Sequence, residues 1–507
     1  MLNFVDNFLN KITMYRLVLY VLFCLILAAA ILSIFHFLPF SPFALLYSTL
    51  VLLIVSWVTN SLFAYFFRVE ANVESVFITA LILALIITPP SAGKYLSILP
   101  FLFLAAILSQ ASKYILKFKH KHIFNPVAFA VALTSLTINQ YASWWVGSAS
   151  MLIFVGISGL LVIKKVRRFD AVAVFILAAL ITILAFTGLN NTGAQMTRAV
   201  INSPLIFFAA IMFTEPLTMP PSLSGRMAYG ILVGLLFAPP FHLGSFYLSP
   251  ELALLAGNIF SFLISPKGRL VLRLKEKRPA GEGVYEFVFE SNRPLSFKAG
   301  QYMEWTLGHK NPDTRGNRRY FTLASSPTEK NTLLGVKFYE QPSSFKQSLL
   351  AMNPGDMITA GQLAGEFTLP SDAKQKLVFI AGGIGITPFR SMIKYLIDKN
   401  EKRPIIVLYS NRTAEEIAYK DILLEAEKFL NIKTINTLTE QNKIPEGWQG
   451  QKGYINGEMI AKEVPDYKER TFYISGSHAM VTSFKETLAN LGISPGKIKT
   501  DFFPGLV

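Results

Sequence analysis

The sequence predicts two architectures in one chain: a multi-pass α-helical membrane domain of about ten helices with an inverted repeat, then an antiparallel β-barrel joined to a doubly wound α/β domain. Three observations predict it. Apolar runs of about 20 residues, long enough to cross a roughly 30 Å hydrocarbon layer, recur through residues 15–265. Beyond Pro266 the runs shorten and alternate apolar with polar residues, as strands do. From Lys376 strand-length and helix-length segments follow one another instead. The expected domains are 1–265, 266–371 and 372–507.

Composition agrees with this division. Of 507 residues 52% are apolar and only 16% charged, too apolar for an ordinary soluble protein. The net charge is +16, and in residues 15–265 the lysines and arginines cluster in loops between the apolar runs. That placement suits membrane topology and anionic lipid, and argues against nucleic acid as a partner. A single cysteine, Cys24 in the first run, excludes an intrachain disulfide and a cysteine-ligated iron–sulfur cluster. No metal site is expected. The first run exceeds the length of a signal h-region and others follow it, so it is expected to be retained.

The runs fall near 15–36, 43–66, 73–90, 95–115, 126–139, 144–163, 170–187, 203–216, 227–243 and 250–265. Alternate loops hold Arg68; Lys113, Lys117, Lys119 and Lys121; Lys164, Lys165, Arg167 and Arg168; and Arg226, and the last run leads into Lys267, Arg269 and Arg273. The opposite loops hold only Lys94 and Arg198. By the positive-inside rule both termini are cytoplasmic, which predicts a multi-pass protein of the inner (cytoplasmic) membrane. Pro89-Pro90-Ser91 recurs as Pro220-Pro221-Ser222, and some 35 residues after each comes Asn125 or Asn258. Five runs separate the copies, so the second is inverted, and such repeats place ligand sites at their interface.

The chemistry is expected in the second half. Tyr285-Glu286-Phe287-Val288-Phe289 and Gly335-Val336-Lys337-Phe338-Tyr339 read as barrel strands, and Lys337 is placed among the cofactor ligands. In the α/β domain strands are expected at 377–381, 405–409, 433–438 and 471–474, with helices from Pro388, near 415–430 and near 480–491. At the first strand-to-helix turn stands Ala381-Gly382-Gly383-Ile384-Gly385-Ile386-Thr387-Pro388. Glycines there let the backbone approach a pyrophosphate, and the helix N-terminus offers unpaired N–H groups. In the barrel, Ala299-Gly300-Gln301-Tyr302 precedes Arg319-Tyr320-Phe321-Thr322. A guanidinium grips a pyrophosphate, an aromatic covers a flavin ring, and a hydroxyl reaches the ring's edge.

On these two motifs residues 267–507 resemble the ferredoxin–NADP reductase superfamily, whose FAD motif reads R-x-[YF]-[ST] and whose nicotinamide motif reads G-G-x-G-x-T-P. The resemblance implies FAD on Arg319 and Tyr320, with Phe321 and Thr322 at the reacting ring. It also implies a phosphate nest at Ser343-Ser344-Phe345-Lys346, and NAD(P)H on Gly382, Gly383, Gly385, Thr387 and Pro388. Ser475-Gly476 stands where the family often has Cys-Gly, so Gly476 is retained and the cysteine is not. Phe503 falls in the family's terminal aromatic region, Asp501-Phe502-Phe503-Pro504-Gly505. Ser410-Asn411-Arg412, past the second strand, offers a hydroxyl and a cation and leans to NADPH over NADH.

The helical half resembles the ten-span membrane subunits of the sodium-pumping NADH:quinone oxidoreductase and of the Rnf complex. Lys121-His122-Ile123-Phe124-Asn125-Pro126 and Met212-Phe213-Thr214-Glu215-Pro216-Leu217-Thr218 carry that likeness. It implies a quinone or an FMN in the membrane domain. Asn191-Thr192-Gly193-Ala194-Gln195 has glutamine at the family's FMN-acceptor threonine, so any FMN is expected to be non-covalent. The reading is an NAD(P)H-dependent flavoprotein passing electrons to a membrane carrier, with quinone or another acceptor as partner. Two rivals stand beside it. One is an ion transporter with a redox-sensing flavin domain, suggested by Glu74, Glu215 and Glu251 near run ends. The other is a haem-type transmembrane ferric reductase, which the positions of His36, His120, His122 and His242 disfavour.

Overall fold

The computed structural model describes every residue except 1–4, 6–7, 10–11, 69–72, 119–120, 188–191, 238–241, 244–245, 266–268, 311, 314–315 and 503–507. Lys119, His120, Asn191, Lys267 and Phe503-Pro504-Gly505 lie outside the described residues, as do the side chains of Lys121, Gln195, His242 and Phe502. The chain divides into two compact units, residues 1–268 and 269–507.

The first unit is helical. Its helices are α1 (Met14–Ile34), α2 (Pro42–Phe67), α3 (Val73–Ile86), α4 (Leu99–Ile115), α5 (Pro126–Ile138), α6 (Leu152–Val166), α7 (Phe169–Thr187), α8 (Thr192–Ile201), α9 (Leu205–Phe207), α10 (Leu223–Phe237) and α11 (Pro250–Ile264). Among the described residues four helical stretches are long and apolar enough to cross a membrane: Met14–Ile34, Pro42–Phe67, Ala149–Val166 and Phe169–Phe186. The bent pair Thr192–Ile201 and Leu205–Met212 would make a fifth, and five apolar helices are shorter. Among the described residues the ten runs of the sequence thus correspond to four such stretches, one bent pair and five shorter apolar helices.

Two of the differences have local causes. The third run stops at Ile86 because loop donors take its final carbonyls. The Trp145 indole donates to the carbonyls of Ala84 and Ile87, both at 3.1 Å, and the backbone N–H groups of Ser143 and Trp144 both reach that of Ile86 at 2.9 Å. The eighth run is a three-residue helix running into a π turn, Phe208–Met212. The stretch after the seventh run, expected as loop, contains α8.

Two of these apolar helices come together by close backbone approach. Gly230 and Gly234, one turn apart on α10, provide it. A Cβ on Gly234 would lie 2.7 Å from the Phe175 carbonyl and 2.7 Å from the Ala178 Cβ, both on α7. A Cβ on Gly230 would lie 3.1 Å from the Ala171 carbonyl.

The second unit begins with a six-stranded antiparallel sheet. Its strands are β1 (Leu270–Gly281), β2 (Val284–Ser291), β3 (Tyr302–Thr306), β4 (Arg318–Thr322), β5 (Thr332–Lys337) and, after α12 (Ser344–Ala351), β6 (Met357–Ala364), in the order β4-β3-β6-β1-β2-β5. Just past β4 the Ala324 N–H donates to the Leu333 carbonyl of β5 at 2.9 Å, so the two edges meet. Leu272, Phe287, Phe289, Trp305 and Phe345 fill the interior.

An all-parallel sheet follows, ordered β10-β9-β8-β7-β11-β12. Its strands are β7 (Leu377–Gly382), β8 (Ile405–Asn411), β9 (Lys433–Leu438), β10 (Gln451–Lys452), β11 (Thr471–Gly476) and β12 (Ile498–Phe502). The helices are α13 (Thr387–Lys399), α14 (Lys420–Leu430), α15 (Gly457–Glu463) and α16 (His478–Asn490). Side chains alternate across a strand. Leu377, Phe379 and Ala381 accordingly pack with α13 and α14, while Val378 and Ile380 pack with α15 and α16. Chain order reverses between β7 and β11, which opens a crevice at their carboxyl ends.

Polar contacts lock the two sheets together. Arg390 of α13 pairs with Glu329 and donates to the Ala324 carbonyl at 3.0 Å, and the Ser391 hydroxyl donates to that of Ser325 at 2.6 Å.

Even one methyl at Gly234 must push α7 and α10 apart. Gly234→Ala is expected to destabilise the helical unit by about 1–3 kcal/mol, the usual cost of overpacking. Thermal unfolding in detergent would read this as a lower midpoint; an unchanged midpoint would mean the helices have room.

Candidate active site at the barrel–sheet junction

β4 is the strand on which the barrel motif lies. Alternation puts Arg319 and Phe321 on one face and Tyr320 and Thr322 on the other. Arg319 and Phe321 both meet buried Phe345 of α12, at 5.3 Å from guanidinium to ring centroid and 5.9 Å between rings. Tyr320 is half exposed, and its hydroxyl donates to the Glu304 carboxylate at 3.0 Å.

The Arg319 guanidinium donates to the carbonyls of Gly316 and Arg318 at 2.9 and 2.7 Å and to Asp313 Oδ1 at 3.1 Å. Asp313 Oδ2 accepts the Ser344 N–H at 3.2 Å, and the Asp313 N–H donates to Ser344 Oγ at 2.8 Å. His309 Nε2 lies 3.0 Å from the same hydroxyl, while Ser343 caps α12 by accepting the Lys346 N–H. A carboxylate thus bridges a guanidinium and a helix N-terminus, the two groups expected on a pyrophosphate. Asp313 stands in for anionic phosphate oxygen, and the residues present fit the diphosphate of FAD. Lys337, expected beside them, is placed otherwise: its buried ammonium pairs with Glu416 at 2.8 Å.

At the sheet, β7 ends in a tight turn, Gly383–Ile386, that opens α13. Gly383 is the position that needs glycine for its backbone, with φ of +51°, and a Cβ there would meet nothing within 4 Å. This open edge of the turn fits a dinucleotide's phosphates. Gly385 is glycine for another reason. A Cβ on it would lie 2.2 Å from the Ser475 carbonyl of β11, so its smallness serves strand packing. Gly382 and Gly476 both face Met480, whose Sδ would lie 2.1 and 2.6 Å from added Cβ atoms. Thr387 and Pro388 are buried, and the Thr387 hydroxyl donates to the Ile384 carbonyl at 2.7 Å. They shape the turn.

Near the end of β8, Ser410 pairs in register with Gly382. Arg412 donates through Nε and Nη2 to Glu416 Oε1 at 2.9 and 2.6 Å. The two halves converge where β4 ends. The Thr322 hydroxyl faces the Asp501 carboxylate of β12 at 3.5 Å, and Asp501 pairs in register with Ser475. The buried Ser475 hydroxyl has no hydrogen-bond partner among the described residues. The structure thus brings together Arg319, Phe321, Ser343, Ser344 and Phe345 as one cluster and Gly382, Gly383, Gly385 and Gly476 as another, with Thr322 between them. Asp313, His309, Glu416 and Asp501 were assigned no role from the sequence. Only Glu416 left a signal there, its four-residue spacing from Arg412.

Residues 379–486 match the family described as the oxidoreductase NAD-binding domain. The flavohemoprotein of Bacillus subtilis (strain 168) is 28% identical over 219 residues, which are 42% of this chain and 53% of that protein. The glycine betaine monooxygenase reductase subunit of Pseudomonas aeruginosa (strain UCBPP-PA14) is 25% identical over 43% of this chain and 60% of its own length. The NAD(P)H-flavin reductase of Vibrio harveyi is 24% identical over 42% of this chain and 89% of its own length. The chain therefore spans between half and two thirds of the first two relatives. The second unit is a ferredoxin–NADP reductase-like FAD- and NAD-binding unit. Its class is that of NAD(P)H-dependent FAD oxidoreductases.

Three substitutions separate the roles. Arg319→Ala removes a charge-assisted contact of about 1.5–3 kcal/mol, so FAD should bind at least tenfold more weakly. Asp313→Ala removes the competing carboxylate, and FAD should bind several-fold more tightly; fluorescence titration of the FAD-free protein reads both. Equal affinity in both variants would remove the cradle from this site. Gly385→Val drives a side chain into β11, so thermal unfolding should fall together with NADH oxidation. Normal stability with selective loss of NADH oxidation would assign Gly385 to the ligand instead.

Proposed function

We propose that the chain is a multi-pass protein of the cytoplasmic membrane, with both termini cytoplasmic. Its second unit takes hydride from NAD(P)H onto FAD, and its helical unit holds the next electron carrier, a quinone or a second, non-covalent flavin. The observation that carries this reading is the meeting of Thr322 with Asp501, where the end of the flavin-motif strand reaches β12 beside the carboxyl end of β11.

FAD, when bound, supplies hydride acceptance and single-electron release. The chain's part is placement. Arg319 and the N-terminus of α12 hold anionic oxygens, and Phe321 and Phe345 cover apolar ring surface. The turn at Gly383 receives the second dinucleotide at the start of α13. The Arg390–Glu329 pair keeps the two halves docked, so the fold sets the distance between donor and acceptor.

A carrier in the helical unit is supported by a buried polar node between segments far apart in sequence. The Asn125 N–H donates to Asn258 Oδ1 at 2.7 Å, and the Asn125 amide donates to Glu215 Oε2 at 2.8 Å. Thr218 donates to the same carboxylate at 3.1 Å, and the Asn258 amide donates to the Tyr229 hydroxyl at 3.2 Å. Polar groups buried in a membrane are costly and mark sites of function. Asn125 and Asn258 are the counterpart positions of the inverted repeat, and the likeness to the membrane subunits of the sodium pump and the Rnf complex runs through Asn125 and Glu215. The same carboxylate favours a second reading, ion movement coupled to electron flow.

Acid extraction of the full chain should release FAD plus one further flavin or quinone, and extraction of residues 269–507 should release FAD alone. Both proteins should reduce ferricyanide with NAD(P)H, and only the full chain a hydrophobic quinone. FAD alone in both, with equal quinone reduction, would reduce the helical unit to an anchor.

A further inference from the structure

We infer that Tyr409 is a positioning residue for the dinucleotide, holding the Gly383–Ile384 peptide so that its N–H is turned to the phosphates. The inference rests on the nicotinamide reading above and adds the residue that prepares the turn for its ligand.

Tyr409 lies on β8, paired in register with Ala381 near the end of β7. Its ring is fully buried in the apolar layer that β7 shares with α13 and α14. Its hydroxyl donates to the Gly383 carbonyl at 3.1 Å, and the Ala418 N–H donates to the same hydroxyl oxygen at 3.2 Å. A phenol has one proton to give. The Ala418 contact takes up a lone pair, which leaves the proton for the carbonyl. Burial pushes the Tyr409 hydroxyl's pKa up, so it stays a donor at neutral pH.

The Gly383–Ile384 peptide is trans and planar, so its C=O and N–H point to opposite sides. With the carbonyl drawn inward to Tyr409, the Ile384 N–H is turned outward from the sheet. Such N–H groups are what an anion needs at a strand-to-helix turn.

Glycine alone does not secure this arrangement. At φ of +51° and without a side chain, Gly383 rotates its peptide at little steric cost. A peptide turned over would set a carbonyl oxygen against the phosphate in place of an N–H. The turn therefore needs a hold from outside itself, and Tyr409 supplies it.

That hold is anchored in the barrel. The Glu282 N–H donates to the Glu415 carbonyl at 2.8 Å, and a Cβ on Gly281 would lie 3.6 Å from the Ala418 Cα. The barrel hairpin thus fixes Ala418, Ala418 fixes the Tyr409 hydroxyl, and the hydroxyl fixes the turn.

The test is steady-state kinetics of the full-length, FAD-loaded protein in detergent, with NADH as donor and ferricyanide as acceptor. Tyr409→Phe keeps the ring and removes only the hydroxyl. KM for NADH should rise about three- to tenfold, the worth of one hydrogen bond, while kcat stays within about twofold and FAD content is unchanged. A residue serving stability alone would lower the thermal midpoint and leave KM where it was. Should Tyr409→Phe fail to fold, residue-resolved hydrogen exchange at the Ile384 amide of the wild type decides. Exchange should be fast without nucleotide and slowed by saturating NAD+. An unmoved KM in the folded variant, or an Ile384 amide already protected without nucleotide or unaffected by it, would overturn the inference and leave the proposed function standing. Flavin left oxidised by NADH in the wild type would instead overturn the nicotinamide reading beneath it.

Discussion

Hydride moves only between rings in contact, so the constraint on which this chain depends is the fixed docking of its barrel on its parallel sheet. Buried Arg390 is the principal fastener. It pairs with Glu329 and takes the Ala324 carbonyl, and beside it Ser391 takes that of Ser325. Each of these acceptors lies a few residues past β4, so α13 is tied to the strand that carries the flavin motif. Since α13 also starts at the Gly383 turn, one helix fixes both binding elements. Gly281 and Glu282 of the barrel touch the 415–418 segment as well, and Lys337 reaches Glu416. The same segment thereby helps tie the barrel to the sheet.

The helical unit answers a different constraint. In the membrane setting proposed for it, apolar surface turned outward would have no cause to collapse, and small residues and buried polar bonds would supply the specificity. Gly230 and Gly234 bring α10 onto the α7 backbone. The node at Asn125, Glu215 and Asn258 joins segments about 90 and 130 residues apart in the chain, and a buried polar group is costly to leave unpaired. Asn125 also caps α5, accepting two backbone N–H groups at 3.0 Å through its side-chain oxygen. Its backbone N–H and its amide are left to reach across to Asn258 and Glu215.

What the sequence revealed was periodic or punctuated. β7 and β9 were legible because their apolar residues form strand-length runs bounded by turns, and the Gly383 turn because its glycines and Pro388 stand at a strand-to-helix junction. Arg319, Phe321 and Phe345 were legible as motif residues. What stayed hidden depends on distant contacts. Nothing local says that α3 ends at Ile86, since the donors that cap it lie near residue 145. α14 begins at Lys420, later than its pattern suggests, because 412–419 is held against the barrel and Tyr419 adopts a left-handed φ of +57°. β12 is five residues long and carries Lys499 and Asp501, too polar and brief to register. Asp313 is one acidic residue in a polar loop, and only the fold brings it to Arg319. Arg412 was legible as a cation past the second strand, whereas its ion pair with Glu416 becomes visible only in the fold.

The central claim is that a nicotinamide and a flavin meet where Thr322 faces Asp501. Anaerobic single-turnover mixing of the FAD-loaded full chain with NADH tests it most directly. The account predicts that flavin absorbance bleaches in one fast phase, slower when the transferred hydrogen is deuterium. Flavin that stays oxidised with either nicotinamide nucleotide would contradict it.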